Sequence, residues 1–226
     1  MLLPLLLLPG LLLAQQSGLA IVGGSQDWSS AEFWAPGELH CSLPSLSREM
    51  FDPSLNTWED TLISCQGDSC DHLTPSGWQL WRQTLYSRVY HTSAVTSQGL
   101  LLVGGYDSPT TTELLPWEGG DAREGFALQH ESFEHCSIQT SPGTIVITGG
   151  NIDSDYYVTS SLVTEYSKLG AGEEVTSREL PPLLQPRLDH ACGWYSVGDS
   201  QVRLVIPCPL SLYHSAGPPC NRWLPY

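Results

Sequence analysis

The sequence predicts an all-β fold: a β-propeller of about four to five blades that form an incomplete ring. Three observations predict it. Strand-like runs end in paired glycines, they recur roughly every 42 residues, and no segment keeps the 3.6-residue period of an amphipathic helix. Short strands with Gly, Pro, Asp and Ser between them are typical of sandwiches, barrels and propellers, and this period favours four-stranded blades.

The glycine pairs define the repeat. They lie at Gly23-Gly24, Gly104-Gly105 and Gly149-Gly150, with a variant at Gln66-Gly67, and successive pairs are 43, 38 and 45 residues apart. The strand-like runs before them are LAIV, TLISC, LLLV and TIVIT. Because strands of a propeller pack most tightly near its channel, we expect glycine where a side chain would collide with the neighbouring blade or the next turn.

A histidine marks a further strand of each repeat. The stretches RVYHTSAV, SFEHCSIQ and RLDHACGW contain His91, His135 and His190 at one repeat position. Equivalent positions of neighbouring blades surround one face of the axis, so a ring of imidazoles is a candidate site for a metal or an anionic ligand. The alternative is that each histidine hydrogen-bonds a loop of its own blade, and we favour this structural role.

Acidic residues recur after each glycine pair, at Glu32, Asp71, Glu113 and Glu165. Repeat-equivalent carboxylates on different blades need not meet, so we expect them to accept hydrogen bonds within their blades.

The glycine pair followed by an acid, as in Gly104-Gly105 with Glu113, resembles the kelch repeats of the galactose oxidase type. The resemblance covers residues 18–206 and implies a kelch-type β-propeller. It also implies that Arg88 and Arg187, three residues before their histidines, are candidates to line the central pocket and favour an anionic ligand there, although we favour structural or solvated roles for both. The segment MFDPSLNTW, residues 50–58, resembles the closing stretch of a kelch blade, but its position suggests the first strand of the second repeat.

Galactose oxidase relatives in the kelch family hold copper with Cys, two Tyr and two His. No motif of this chain reproduces that set, and GxSxG, HExxH, GxGxxG and Walker motifs are absent. The sequence therefore predicts no catalytic residue, cofactor or metal.

Charge and cysteine content limit the possible partners and compartment. The 226 residues include 24 acidic against 9 basic ones, for a formal charge of −15, which disfavours nucleic acid and membrane surfaces as partners. Seven cysteines indicate an oxidising compartment, and Cys65 and Cys70, five apart across a predicted turn, are candidates for a disulfide. The absence of CxxC and HxxxH disfavours zinc.

The two ends of the chain differ from the repeats. Residues 1–14, MLLPLLLLPGLLLA, resemble a secretory signal peptide with cleavage after Ala14, although Lys and Arg are missing from it. Residues 207–226 match no blade strand and form a non-repeat tail.

The function that these features favour is a secreted, non-enzymatic binding module for an extracellular protein or glycan. Two alternatives stay open: a carbohydrate-active or metal-dependent enzyme with its site on the propeller axis, and a fragment without independent function.

Overall fold

Every regular element in the described part of the chain is a β-strand. The computed structural model describes residues 19–22, 29–34, 41–50, 52–153, 158–169, 174–196 and 202–205. The strands are β1 (Leu19–Val22), β2 (Ala31–Trp34), β3 (Cys41–Ser42), β4 (Ser54–Trp58), β5 (Thr61–Thr74), β6 (Gly77–Arg88), β7 (Thr92–Val95), β8 (Gly99–Val103), β9 (Thr111–Pro116), β10 (Arg123–Ala127), β11 (Cys136–Ser141), β12 (Thr144–Thr148), β13 (Val163–Ser167), β14 (Thr176–Glu179), β15 (Gly193–Ser196) and β16 (Val202–Val205). The predicted all-β class is confirmed.

The strands form five antiparallel sheets within the described ranges, and each sheet joins consecutive strands in simple meander order. We number them in chain order: sheet I is β1-β2-β3, sheet II β4-β5-β6, sheet III β7-β8-β9-β10, sheet IV β11-β12-β13-β14 and sheet V β15-β16. The segment MFDPSLNTW contains β4, so it supplies the first strand of sheet II and does not close the sheet before it.

Strand β5 folds back on itself. The Thr61 hydroxyl donates to the Leu73 carbonyl at 2.6 Å, although twelve residues of extended strand would span about 40 Å. Cys65 and Cys70, whose Cα atoms are 4.0 Å apart, are joined by a disulfide across the bend, and Gly67 takes a φ of 64° within it. Sheet II therefore has four extended segments, as sheets III and IV have four strands.

Successive sheets pack face to face. The middle strand β8 reads GLLLV and is buried along its whole length. Leu100 and Leu102 pack with Ile63 of sheet II, whereas Leu101 and Val103 pack with Ile145 of sheet IV. Because side chains alternate along a strand, β8 contributes to the cores on both of its faces.

The first strands of the sheets lie side by side in chain order. Strand β4 contacts β7, β7 contacts β11, and β11 contacts β15. Sheets that pack face to face while their first strands meet in succession are fanned about a common axis, and this gives a propeller-like arrangement.

Several predictions fall outside the described residues. These are the signal peptide at 1–14, the pair Gly23-Gly24 and the tail at 207–226. The described residues contain no helix long and apolar enough to cross a bilayer.

Candidate functional site

The loops that lead into the first strands share one backbone conformation. The residue before each repeat histidine has positive φ: 58° at Tyr90, 54° at Glu134 and 48° at Asp189. The Glu134 amide donates to the Tyr90 carbonyl and the Asp189 amide to the Glu134 carbonyl, each at 3.0 Å. The three loops are therefore linked in a row along one face of the fan.

The glycine pairs are hydrogen-bonded to these loops. The Gly105 amide donates to the Ser132 carbonyl at 2.9 Å, and the Gly150 amide donates to the Arg187 carbonyl at 2.7 Å. A Cβ on Gly104 would lie 2.1 Å from the Ser132 carbonyl oxygen, and the residue has a φ of 61°. Glycine is required because the loop of the next repeat crosses against this backbone, so the close approach is to that loop and not to a channel strand.

Each repeat histidine is buried and reaches a hydroxyl of the preceding sheet. The Nε2 atom of His91 lies 3.0 Å from Ser54 Oγ, and that of His135 lies 2.7 Å from Thr92 Oγ1. The Nε2 atom of His190 lies 2.8 Å from Thr148 Oγ1. The histidines thus join neighbouring sheets, a structural role that extends beyond their own blades.

The three imidazoles are neutral at pH 7. Burial, with the positive charge of Arg88 as a second cause, lowers the pKa of His91 to about 3 despite a hydrogen bond to the Arg88 backbone. Burial also lowers the pKa of His135 to about 3, and burial with the charge of Arg187 lowers that of His190 to about 4. A ring of neutral imidazoles supplies no positive charge for an anionic ligand.

These histidines should make the folded state sensitive to acid. Their pKa values fall from an ordinary 6.5 on folding, so the unfolded chain binds more protons below pH 6.5. The contribution is complete above pH 6.5 and is lost progressively as the pH falls from there toward 3. Urea unfolding at pH 7.5, 6.5 and 5.5 should show stability falling with pH, and His135→Asn should reduce the slope by about one proton. An unchanged slope in His135→Asn would contradict the buried neutral state.

Arg88 does not line the pocket, which corrects the expectation that it contacts a ligand. Its side chain is fully buried, and its Nε lies 2.6 Å from Glu113 Oε1. Its Nη1 donates to the Gly104 carbonyl at 2.5 Å. The guanidinium therefore fixes the end of β8 from inside the fold.

An arginine between β3 and β4, which the sequence pattern did not indicate, makes equivalent contacts to sheet II. Arg48 donates to the Gln66 carbonyl at 2.9 Å and lies 3.9 Å from the Asp71 carboxylate. Gln66 stands at the same repeat position as Gly104, and Asp71 stands at the position of Glu113. Asp71 and Glu113 thus hold the arginine that secures each glycine turn.

Arg187 stands three residues before its histidine, at the repeat position that Arg88 and Ser132 occupy in the two repeats before it. It is partly buried, and its carbonyl receives the Gly150 amide. Its side chain is not part of the described pocket lining. The two arginines expected to bind a ligand thus lie outside the pocket.

A pocket of about 790 Å³ opens where the first strands begin. His91, His135 and His190 form part of its wall, and Asp52, Tyr90, Glu134 and Asp189 also line it. Lys and Arg are absent from its described lining. The pocket is therefore acidic. A separate groove of about 440 Å³, between sheets III and IV, contains none of these repeat-equivalent residues.

Burial raises the pKa values of the pocket carboxyl groups, and for Asp52 and Glu134 the neighbouring carboxylates raise them further. Burial followed by the charge of Asp189 raises the pKa of Asp52 above its ordinary 3.8. Burial and the charges of Asp189 and Asp52 raise that of Glu134 above 4.5, against the opposing hydrogen bond from Asn151 Nδ2 at 2.6 Å. Burial raises the pKa of Asp189. The three groups are close enough to repel one another, although Asp52 and Asp189 are exposed and solvent weakens the repulsion.

The sequence contained a signal for two of these groups. Tyr90, Glu134 and Asp189 immediately precede the three aligned histidines, so two of the three residues at this repeat position are acidic. Within the described residues, no group of three or more His, Cys, Asp or Glu side chains is arranged to hold a metal ion.

The described residues contain two disulfides. Cys65–Cys70 closes the bend of β5, and Cys136–Cys192 joins the first strand of sheet IV to the segment entering sheet V. Both are compatible with an oxidising extracellular compartment.

Comparison with known proteins supports the fold. A solved structure described as "Structure of YjhT" is similar with a TM-score of 0.64 at 9% identity, over 84% of this chain and 80% of that chain. The similarity is to a β-propeller-like fold, and at this identity it concerns the fold alone. No protein-family model and no curated protein matches the chain, so the kelch type stays a prediction.

Proposed function

We propose that the protein is a secreted, kelch-type β-propeller that binds an extracellular protein, and that its acidic pocket receives a basic side chain of that partner. One observation carries the proposal: Asp52, Glu134 and Asp189, from the loops before sheets II, IV and V, line one pocket with no described Lys or Arg. The matching loops at 90–91, 134–135 and 189–190 support a repeat propeller, and the disulfides support secretion.

The charge of the pocket decides the ligand chemistry. Carboxylates that repel one another gain the most when a cation enters between them, because it relieves repulsion and offers new hydrogen bonds. The neutral histidines do not offset this negative charge. The formal charge of −15 would also attract a basic partner over a longer range. An anionic ligand, expected from Arg88 and Arg187, is disfavoured because neither lines the pocket.

The proposal is tested with a fluorescein-labelled tri-lysine peptide. Glu134→Gln with Asp189→Asn should weaken binding about ten-fold, and binding should weaken further as salt rises. Asp60→Asn, an exposed acid at the β4–β5 turn, changes charge away from the pocket and should alter binding less than two-fold. Equal losses in both variants would indicate unspecific attraction and contradict the proposal.

The same variants separate binding from folding. Because burial, with repulsion from Asp189 as a second cause at Glu134, raises the pKa values of Glu134 and Asp189 in the folded state, removing these charges should leave the melting temperature at neutral pH unchanged or higher. Salt-insensitive binding of a neutral glycan in place of the peptide would favour a glycan partner.

A further inference from the structure

Neighbouring sheets are held together beside the pocket by a repeated hydrogen bond. The first residue of β4, Ser54, meets His91, and the first residue of β7, Thr92, meets His135. In each case the hydroxyl at the start of the first strand of one sheet is hydrogen-bonded to the histidine that precedes the first strand of the next sheet.

The junction between sheets IV and V departs from this pattern. Strand β11 begins with Cys136, where β4 and β7 begin with a hydroxyl residue. His190 bonds to Thr148 at the end of β12, and Cys136 is joined to Cys192 by a disulfide. Cys192 lies two residues after His190, where Ser93 follows His91. A covalent bond thus occupies the place of the repeated hydrogen bond.

We propose that the Cys136–Cys192 disulfide is the latch that holds sheet V, and with it Asp189, against the pocket. Sheet V has two strands in the described ranges, and a two-stranded sheet is marginal without further packing. The disulfide closes a loop of 56 residues and restricts the freedom of a released sheet.

The latch positions part of the binding site. Cys136 lines the pocket, and Asp189 lies three residues before Cys192. Release of sheet V would remove Asp189 from its place beside Asp52 and Glu134. This consequence for binding rests on the proposed function, whereas the anchoring of sheet V does not.

Hydrogen exchange on the full chain tests the latch. In Cys136→Ser/Cys192→Ser, amides of β15 should exchange about 100-fold faster or more, while those of β12 keep their protection. The control Cys65→Ser/Cys70→Ser removes the disulfide within sheet II. In this control, the ratio of β15 to β12 exchange rates should equal that of the wild type. Binding of the tri-lysine peptide should weaken several-fold in the first variant.

Unchanged exchange of β15 in the first variant would overturn the latch, as would a uniform increase over all sheets. If the variant does not fold, the wild-type disulfide is reduced by dithiothreitol, which supplies two electrons and two protons and forms its own cyclic disulfide. Exchange limited to β15 then supports the latch, and exchange everywhere overturns it. If the wild type does not bind the peptide, the proposed function is refuted. If its β15 amides nevertheless lose protection on reduction, the latch still stands.

Discussion

Gly104→Ala should destabilise the protein by about 3 kcal/mol or more. The new Cβ would lie 2.1 Å from the Ser132 carbonyl oxygen, so the loop of the next repeat must move. Movement of that loop breaks the hydrogen bond from the Gly105 amide to the same carbonyl, worth about 1 kcal/mol. The left-handed backbone, with φ of 61°, adds about 1–2 kcal/mol. Urea unfolding monitored by tryptophan fluorescence measures the loss.

Gly67→Ala is the matched control. Gly67 lies in the equivalent turn, at the repeat position of Gly105, and has a similar φ of 64°, but a Cβ there would meet nothing within 4 Å. The loss of unfolding free energy in Gly67→Ala should be limited to the cost of the left-handed backbone, about 1–2 kcal/mol. Equal losses in the two variants would mean that close approach to the next repeat does not explain the glycine.

Arg88→Met should destabilise the protein by about 3–5 kcal/mol. The change leaves the Glu113 carboxylate buried without its charge partner and removes the hydrogen bond to the Gly104 carbonyl. Adding Glu113→Gln should recover part of the loss, because a neutral amide is easier to bury and can still accept from the Leu85 amide. Unfolding free energies of the single and double variants give the coupling energy between Arg88 and Glu113.

Arg178→Met provides the comparison with a surface ion pair. Arg178 lies 2.9 Å from Glu165, but most of its side chain is in solvent, so the loss should stay below about 1 kcal/mol. A similar loss in Arg88→Met would contradict the structural role of the buried pair. Unimpaired peptide binding in a folded Arg88 variant is expected, since this side chain is outside the pocket.

Sequence reasoning predicted the elements that depend on local pattern. The apolar runs GLLLV and TIVIT form middle strands, and the glycines after them turn with positive φ, because both properties follow from neighbouring residues. The histidine alignment located the loops that line the pocket. The Cys65–Cys70 spacing allowed a bond across a turn because five residues suffice to reverse the chain.

The remaining features depend on contacts between repeats some 40 residues apart. Nothing local to Arg88 indicates that Glu113 will neutralise it, so the sequence leaves a pocket role for this arginine open beside a structural one. Nothing local to His135 indicates that its partner is Thr92 of the preceding sheet. The acidity of the pocket arises only when Asp52, Glu134 and Asp189 converge, and a single sequence gives no measure of their separation.

The central claim is that equivalent loops of successive repeats converge on one acidic pocket. An NMR titration of the protein with the tri-lysine peptide tests it most directly. The account predicts that the backbone amides of Tyr90, Glu134 and Asp189 shift together with one dissociation constant. Shifts confined to a single repeat, or centred on the groove between sheets III and IV, would contradict it.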